Sequence, residues 1–274
     1  MRSGLLLRFL GVLRGEYFFM VIYGINPVLE ALRAGRVRSI RVSPRGDDRL
    51  AAVIRLAEEN GIAIRRVSPA ELTRAARGVD RHQGIVAEVP DAPGVGVDDL
   101  VAEAAGAPLI VVLDGIEDPH NLGAILRTVD AAGADGVVRQ SRHAAPLGGV
   151  AAKASAGATA HVKVADVVNI ARALEELKDA GVWTVGLASD AVKTYDQIDY
   201  TLPTAVVVGA EGAGLRRLVR ERCDWLVSIP MLGRVGSLNV SVATGVALFE
   251  AVRQRRASGV TAQARRSSTG GQGP

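Results

Sequence analysis

Residues 205–252 read AVVVGAEGAGLRRLVRERCDWLVSIPMLGRVGSLNVSVATGVALFEAV, and this stretch decides the fold. Its apolar run 205–208 has the pattern of a buried strand and leads directly into the glycine-rich segment 209–214. A basic helical segment, a second apolar strand over 226–229, a loop and an apolar helix starting near Asn239 follow. Strands that alternate with helices predict an α/β fold with a mainly parallel sheet and helices on both faces.

The same stretch predicts a ligand site. Glycines after a strand let the backbone approach a bound molecule because no Cβ intervenes. Gly233 and Gly236 allow the following loop to bend sharply, and Asn239 is a good cap for the last helix. Strand ends and a helix start that meet in one place are typical of α/β ligand sites. We expect a mostly apolar pocket with few charges, lined by Val208, Ile229, Met231 and Leu238.

Two nucleotide-binding motifs are absent from the glycine-rich segment. Its letters, GAEGAG, do not have the spacing of the dinucleotide fingerprint, and no acidic residue follows at the required distance. A phosphate-binding loop needs a Lys-Ser or Lys-Thr pair after its glycines, whereas Leu215 and Arg216 stand there. On spacing alone, the glycines are equally compatible with ordinary turns.

Composition narrows the function classes. Aromatic residues make up 4% of the 274 residues, which argues against base recognition dominated by stacked aromatic platforms. The net charge of +4 and the pI of about 9.6 favour polyanionic partners only mildly. Cys223 is the single cysteine, so the chain has no intrachain disulfide and no cysteine metal cluster, which fits a reducing compartment. The four histidines lack metal-ligand spacing, and we expect no metal.

Changes in composition divide the chain. The first 19 residues are apolar and basic, too short and too charged to span a membrane, and Met20 is the expected natural start. A linker is expected from proline and glycine content. The expected parts are a leader (1–19), a small α/β domain (20–90), a linker (91–107), a second domain (108–256) and a disordered basic tail (257–274).

Several local signals place elements. Ser68 and Glu71 form a capping-box pattern, and the sequence predicts a strand over 161–164. Asp118 followed by Pro119 starts a helix that runs to about Ala132. One face of that helix is apolar, and Arg127 lies nearly opposite to it, either solvated or available for a function. Residues 82–84, HQG, lie among arginines and are either an RNA-facing edge or a solvated loop.

Three segments together carry a family resemblance: 118–128 (DPHNLGAILRT), 207–217 (VVGAEGAGLRR) and 228–250 (SIPMLGRVGSLNVSVATGVALFE). They resemble, in order and spacing, the three motifs of the SpoU/TrmH class of SPOUT RNA ribose 2′-O-methyltransferases. The small domain, with YGINPVLEAL and HQGIVAEV, resembles the L30e-like RNA-binding domain of the branch that methylates a guanosine in 23S ribosomal RNA. The resemblance covers roughly residues 20–256.

The resemblance implies a C-terminal trefoil-knotted methyltransferase domain, a cytoplasmic homodimer, and S-adenosylmethionine as cofactor. By position, Gly209, Ile229 and Leu238 match cofactor contacts of the family, with Leu187, Glu211 and Met231 close by. The polar motif positions, carried over as catalytic residues, are Asn121, Arg127, Glu211, Ser237 and Asn239.

The implied reaction is attack of a ribose 2′-hydroxyl on a sulfonium methyl, so the protein mainly positions the reactants and removes a proton. A guanidinium stays protonated in proteins, so we expect Arg127 to hold an RNA phosphate or to stabilise the developing alkoxide. Asn121 and Glu211 would orient it or the ribose, and Ser237 and Asn239 would shape the loops. A transfer-RNA methylase, a methylase of a ribosomal adenosine and a non-catalytic RNA-binding protein remain alternatives.

Overall fold

A computed structural model describes residues 19–44, 47–76, 78–90, 95–142 and 144–259. Most of the predicted leader, the start of the predicted linker and most of the predicted tail lie outside these residues. The described residues form two compact units. The first contains residues up to 90 together with 122–127 and 145–161, and the second contains the rest.

The first unit is built on a four-stranded sheet of order β1-β4-β2-β3. Strand β4 is antiparallel to β1 and β2, whereas β2 and β3 are parallel. The strands are β1 (Phe19–Tyr23), β2 (Ser39–Val42), β3 (Ala63–Arg66) and β4 (Ile85–Pro90), and the helices between them are α1 (Ile25–Arg33), α2 (Asp48–Glu59) and α3 (Pro69–Ala75).

Aliphatic side chains from these helices and strands form the core of the first unit. Val28 of α1, Val53 of α2 and Ile40 of β2 are buried in one cluster. The capping box is confirmed: the Ser68 hydroxyl accepts from the Glu71 N–H, and the Glu71 carboxylate accepts from the Ser68 N–H. Such reciprocal bonds satisfy backbone donors that would otherwise lack partners at a helix start.

The second unit is built on a seven-stranded sheet of order β7-β6-β5-β10-β8-β11-β9, in which every pair is parallel. Its strands are β5 (Leu109–Asp114), β6 (Gly136–Gln140), β7 (Val164–Val167), β8 (Trp183–Leu187), β9 (Lys193–Thr194), β10 (Thr204–Gly209) and β11 (Trp225–Ser228). The remaining helices of the chain are α4 (Val97–Ala102), α5 (Pro119–Ala132), α6 (Val150–Ala154), α7 (Ile170–Asp179), α8 (Arg217–Arg222) and α9 (Val240–Ala257). Residues of α5 belong to both units, and α6 belongs to the first.

Strand β10 lies at the centre of this sheet, between β5 and β8. Its residues Ala205 and Val207 are buried in a cluster with Leu174 and Leu177 of α7. The alternate residue Val206 faces the opposite side of the sheet, and α9 packs against the same strand. The predicted parallel sheet is therefore confirmed, with β10 covered on both faces as a parallel strand requires.

Two local predictions are wrong. The expected linker 91–107 contains α4, because Val97 and Leu100 are buried against the sheet, whereas the composition around them suggested a connection. The strand predicted over 161–164 begins only at Val164, where pairing with Val137 of β6 starts; a 3-10 turn over Ala158–Ala160 precedes it. Helix α9 ends at Ala257, the first residue of the expected tail.

Within the described part of the chain, no helix combines the length and apolar character that a membrane crossing demands. Among the same residues, no group of three or more His, Cys, Asp or Glu side chains is arranged to hold a metal ion.

Candidate functional site

The ends of β8, β10 and β11 open onto a cavity of about 380 Å³ in the second unit. Parallel strands bring their carboxyl ends to one edge of the sheet, where α/β folds place their ligands. The glycine-rich loop 210–214 and the loop 229–238 form much of its wall. The wall includes every residue matched to cofactor contact or proximity: Leu187, Gly209, Glu211, Ile229, Met231 and Leu238.

The glycine-rich loop returns tightly onto its own start. A Cβ on Gly209 would lie 2.1 Å from the carbonyl carbon of Gly214 and 2.3 Å from the nitrogen of Leu215. The Gly214 N–H donates to the Ala210 carbonyl at 2.8 Å, and φ at Gly214 is +67°. Turn geometry therefore requires glycine here, and the same turn forms a wall of the cavity.

A buried carboxylate that the sequence analysis missed holds the far end of this loop. Asp114 ends β5 and is 1% exposed. It accepts hydrogen bonds from Arg216, from the backbone N–H at 2.8 Å, from Nε at 2.6 Å and from Nη2. The available signal was an aspartate at the end of a buried strand, but its partner lies 102 residues away.

A chain of amide and carboxylate groups joins residues from all three motif segments. The Asn239 Nδ2 donates to Asn121 Oδ1 at 2.9 Å, and the Asn121 Nδ2 donates to Glu211 Oε2 at 3.2 Å. Glu211 is itself exposed at the cavity wall, whereas Asn121 is 8% exposed. The network therefore presents the Glu211 carboxylate at the cavity wall, and the hydrogen bond from Asn121 fixes its orientation.

The positions of Asn121 and Asn239 are fixed by the starts of α5 and α9. The Asp118 side chain accepts from the His120 N–H at 2.9 Å, which places Asn121 in the first turn of α5. Asn239 caps α9 and its Oδ1 accepts from the Ser241 N–H at 2.9 Å. With the Asn239 oxygen used for the cap, its amide N–H₂ faces Asn121, so one side chain both starts a helix and joins the network.

The other two predicted polar residues lie outside this network. Ser237 is exposed and lines the cavity. Arg127 is exposed on α5, in the part of that helix that belongs to the first unit, and its side chain forms no hydrogen bond or ion pair with any residue that the structure describes. The structure therefore gathers Asn121, Glu211, Ser237 and Asn239 and leaves the Arg127 guanidinium without a partner among the described residues.

An ion pair between Asp190 and Arg220 also lines the cavity. Arg220 donates from Nη1 and Nη2 to the two oxygens of Asp190, at 2.8 and 2.9 Å, and both residues line the cavity. The hydrogen bond from Arg220 lowers the pKa of Asp190. With Glu211, Asp190 and Arg220 are the charged residues that line the cavity, which fits the expectation of a pocket with few charges. The sequence analysis gave no ligand role to the loop after β8, from which Asp190 comes.

Cys223 does not take part in this site as a nucleophile. Burial raises the pKa of its thiol to about 12. A thiol with so high a pKa stays protonated at neutral pH and is a poor nucleophile.

A second cavity, of about 470 Å³, lies in the first unit. His82 is 9% exposed, and its Nδ1 accepts from the Gly84 N–H at 3.1 Å. Gln83 has φ +53°, and its Oε1 accepts from the N–H of Ile25, the first residue of α1, at 3.0 Å. Residues 82–84 are therefore a fixed turn rather than a freely solvated loop. The cavity is lined by Ile25, Ser43, Asp47, Arg49, Leu50, His82, Gln83 and Gly84.

Two family models match the chain. Residues 108–249 match the SpoU rRNA Methylase family, and residues 21–93 match the RNA 2′-O ribose methyltransferase substrate binding family. The first match covers the entire cavity wall and the three motif segments except Glu250, the last residue of the third.

Known proteins are similar over most of the chain. A 23S rRNA (guanosine-2′-O-)-methyltransferase RlmB from Pseudomonas syringae pv. tomato is 46% identical over 86% of this chain and 96% of that protein. An uncharacterized tRNA/rRNA methyltransferase from Mycolicibacterium vanbaalenii is 48% identical over 87% of this chain and 77% of that protein. The crystal structure of the SpoU methyltransferase AviRb from Streptomyces viridochromogenes, in complex with AdoMet, has a TM-score of 0.74 and 27% identity, covering 89% of this chain and 93% of that chain.

Proposed function

The chain belongs to the SpoU rRNA methylase family, and from this premise we propose that it methylates the ribose 2′-hydroxyl of a guanosine in 23S ribosomal RNA. The observation that carries the proposal is the convergence of the three motif segments. The Asn239–Asn121–Glu211 network joins all three, and it meets a cavity lined by every residue matched to the cofactor site.

S-adenosylmethionine is the methyl donor, and the cavity suits it. A volume of about 380 Å³ lies in the range of small-molecule sites. Val208, Ile229 and Leu238 give apolar surface, and the Asp190–Arg220 pair gives charged groups for a zwitterionic amino-acid moiety. When bound, the cofactor supplies a methyl group already activated by its positive sulfur.

The residues of the chain then have to hold the ribose hydroxyl in line and manage its proton. Glu211 presents its carboxylate at the cavity wall, oriented by Asn121, and would accept a hydrogen bond from a ribose hydroxyl. Ser237 and Asn239 shape the loop beside it. Correct placement of reacting groups accounts for a large part of catalysis in such a transfer.

We assign Arg127 the role of binding the RNA substrate. Its guanidinium is exposed and forms no bond with the described residues, so it is available to a phosphate or to the alkoxide that develops as the hydroxyl loses its proton to water or phosphate. A fully protonated guanidinium stabilises negative charge and does not accept the proton.

We further propose that the second unit contains the trefoil knot implied by the family resemblance. In support, β10 lies between β5 and β8 while β11 pairs with β8 on its other side. The segment 229–238 then lines the same cavity as the loop 210–214 before α9 packs against β10. The mixed four-stranded sheet of the first unit supports an L30e-like RNA-binding domain, with domain bounds of 20–90 and 108–256.

The first unit is proposed to hold the RNA at the cavity around His82 and Gln83. Arg49 lines this cavity and the exposed Arg81 precedes His82. A concave surface with polar side chains, one arginine on its lining and another beside it in the sequence suits an unpaired segment of RNA, whose bases are free to be contacted.

Reversing both charges, Arg49→Glu with Arg81→Glu, is expected to raise the KM for RNA about tenfold or more, because phosphate contacts dominate nucleic-acid affinity. The Kd for S-adenosylmethionine should not change. Arg172→Glu, at an exposed position on α7 of the second unit, is the control and should leave both constants unchanged. An unchanged KM for RNA in the double variant would remove this surface from the proposal.

A homodimer is proposed through an apolar stripe on α9. Val242 is 51% exposed and Phe249 is 50% exposed, and Val246 lies between them on the same helical face. Exposed apolar stripes of this kind mark contact surfaces. We also propose a cytoplasmic location, where ribosomal RNA is the substrate and the half-buried thiol of the single cysteine stays reduced.

Val242→Asp with Phe249→Asp is expected to convert the dimer into a monomer in sedimentation equilibrium, because two carboxylates would be buried in the contact. Leu218→Asp on α8, 54% exposed, is the matched control and should remain dimeric. A wild-type chain that sediments as a monomer would contradict the proposed homodimer directly.

A transfer-RNA substrate is the second candidate, favoured by the similarity to a tRNA/rRNA methyltransferase. Deleting the gene in its own host separates the two. Loss of one 2′-O-methylguanosine from 23S ribosomal RNA, restored by the intact gene, is expected. Loss of a ribose methyl group from transfer RNA alone would support the second candidate.

A further inference from the structure

We propose that Asp114, which does not line the cavity, is a positioning residue for cofactor binding, because it holds the glycine-rich loop at both ends. The inference rests on the proposed cofactor site. The single buried carboxylate of Asp114 then determines the shape of the cavity wall that residues 210–214 form.

The two attachments are of different kinds. At the start of the loop, Gly209 pairs with Asp114 in the parallel register of β10 and β5. At the end of the loop, the backbone N–H of Arg216 donates to the Asp114 carboxylate at 2.8 Å. The backbone of Asp114 thus lies beside the residue before the loop, and its side chain binds the residue after the loop.

Two other described hydrogen bonds act on the loop, from the Gly214 N–H to the Ala210 carbonyl at 2.8 Å and from the Asn121 Nδ2 to Glu211 at 3.2 Å, and neither ties its end to the sheet. Residues 211–214 are exposed, and Gly212 and Gly214 have φ values of +79° and +67°. Glycine has more conformations to lose than any other residue, so ordering this segment is entropically costly. The Asp114 carboxylate, 1% exposed and bound to a backbone donor, supplies a strong, charge-assisted bond where it closes the loop.

The same attachment reaches the polar network. Gly115 follows Asp114, and a Cβ there would lie 3.8 Å from the Cβ of Ala210, the first residue of the loop. Glu211 follows Ala210 and bonds to Asn121. If the loop lost its bond to Asp114, both the cavity wall and the Glu211 carboxylate would therefore be displaced.

The competing interpretation is an ion pair between Asp114 and Arg216 that contributes to stability alone. If Asp114 positions the loop, the important donor is the backbone N–H of Arg216. If the ion pair contributes to stability alone, the important donors are Nε and Nη2 of the Arg216 side chain. Arg216→Ala removes Nε and Nη2 but keeps the backbone N–H, whereas Asp114→Ala removes the acceptor for all of them. The double variant removes the side-chain pair without leaving a buried charge unpaired, which by itself would be destabilising.

The experiment measures the Kd of S-adenosylmethionine by calorimetry, at a temperature well below the unfolding midpoint of every variant. Asp114→Ala and the Asp114→Ala/Arg216→Ala double variant are both expected to raise the Kd at least about tenfold, since charge-assisted bonds to backbone donors are among the stronger ones. Arg216→Ala should raise it by about threefold or less, because the backbone bond remains. Arg217→Ala, an exposed neighbour paired with Glu221, is the control and should leave the Kd unchanged.

Kinetics give a second readout. We expect Asp114→Ala to raise the KM for the cofactor more than it lowers kcat at saturating cofactor. Folded Asp114→Ala protein with the wild-type Kd would overturn the inference, and so would a double variant in which wild-type affinity returns. Neither result depends on RNA: a wild-type chain that binds the cofactor but methylates no ribosomal RNA would contradict the proposed substrate and leave the role of Asp114 standing.

Discussion

Arg127→Ala is expected to abolish detectable methyl transfer. The fall in kcat should be at least about a hundredfold, because the variant lacks a group that stabilises developing negative charge. The affinity for S-adenosylmethionine should stay within several-fold of wild type, because Arg127 does not line the cavity. The fold should also be unaffected, since the side chain is exposed and forms no bond with the described residues. Single-turnover methyl transfer and calorimetry measure the two quantities separately.

Arg172→Ala, which removes another exposed arginine from a helix, is the matched control and should keep full activity. Arg127→Lys tests the chemistry further: a lysine keeps the charge but not the planar, two-pronged geometry, so only partial activity should return. Loss of cofactor binding in Arg127→Ala would show that the residue serves the cofactor site and would contradict the assignment to the RNA.

Gly209→Ala is expected to eliminate measurable cofactor binding. The added Cβ would lie 2.1 Å from the carbonyl carbon of Gly214 and 2.2 Å from its oxygen. These are backbone atoms of the returning loop, so the loop must move as a whole rather than a side chain rotating away. Forcing extra atoms into a tightly packed place costs about 1–3 kcal/mol or more, and we expect a lower unfolding midpoint together with the lost affinity.

Gly106→Ala, outside the cavity, is the control for this change, because a Cβ at Gly106 would meet no atom within 4 Å. Calorimetry with S-adenosylmethionine should give the wild-type Kd for that variant. A Gly209→Ala protein that binds the cofactor with wild-type affinity would mean that the loop is free to shift without reshaping the cavity, and the role assigned to the loop would fail.

Local patterns predicted the elements that local interactions determine. The apolar run 205–208 became the centre of β10, buried on both faces. Asp118 with Pro119 predicted the start of α5, and its side chain does accept from the helix backbone. In both cases the sequence signal and the stabilising interaction lie within a few residues of each other.

The contacts that build the site are not local, and periodicity could not predict them. Asn239 and Asn121 are 118 residues apart, Asn121 and Glu211 are 90 apart, and Asp114 and Arg216 are 102 apart. The network residues were found through the family resemblance, whereas Asp114 and Arg216 were given no role. Each acquires its partner only when β5, β10 and the helix starts meet at one edge of the sheet.

Burial explains the mistaken linker in the same way. Residues 91–107 have the glycine and proline content of a connection, yet Val97 and Leu100 within them are buried in the core of the second unit. The short helix α4, which contains both residues, is therefore stabilised by packing against the sheet.

Methyl transfer from tritiated S-adenosylmethionine to unmodified 23S ribosomal RNA, 16S ribosomal RNA and bulk transfer RNA, with the labelled nucleotide identified, tests the central claim most directly. Label in 23S ribosomal RNA alone, recovered as 2′-O-methylguanosine and absent with Arg127→Ala, is the predicted result. Label in transfer RNA instead, or on a base rather than a ribose, would contradict it.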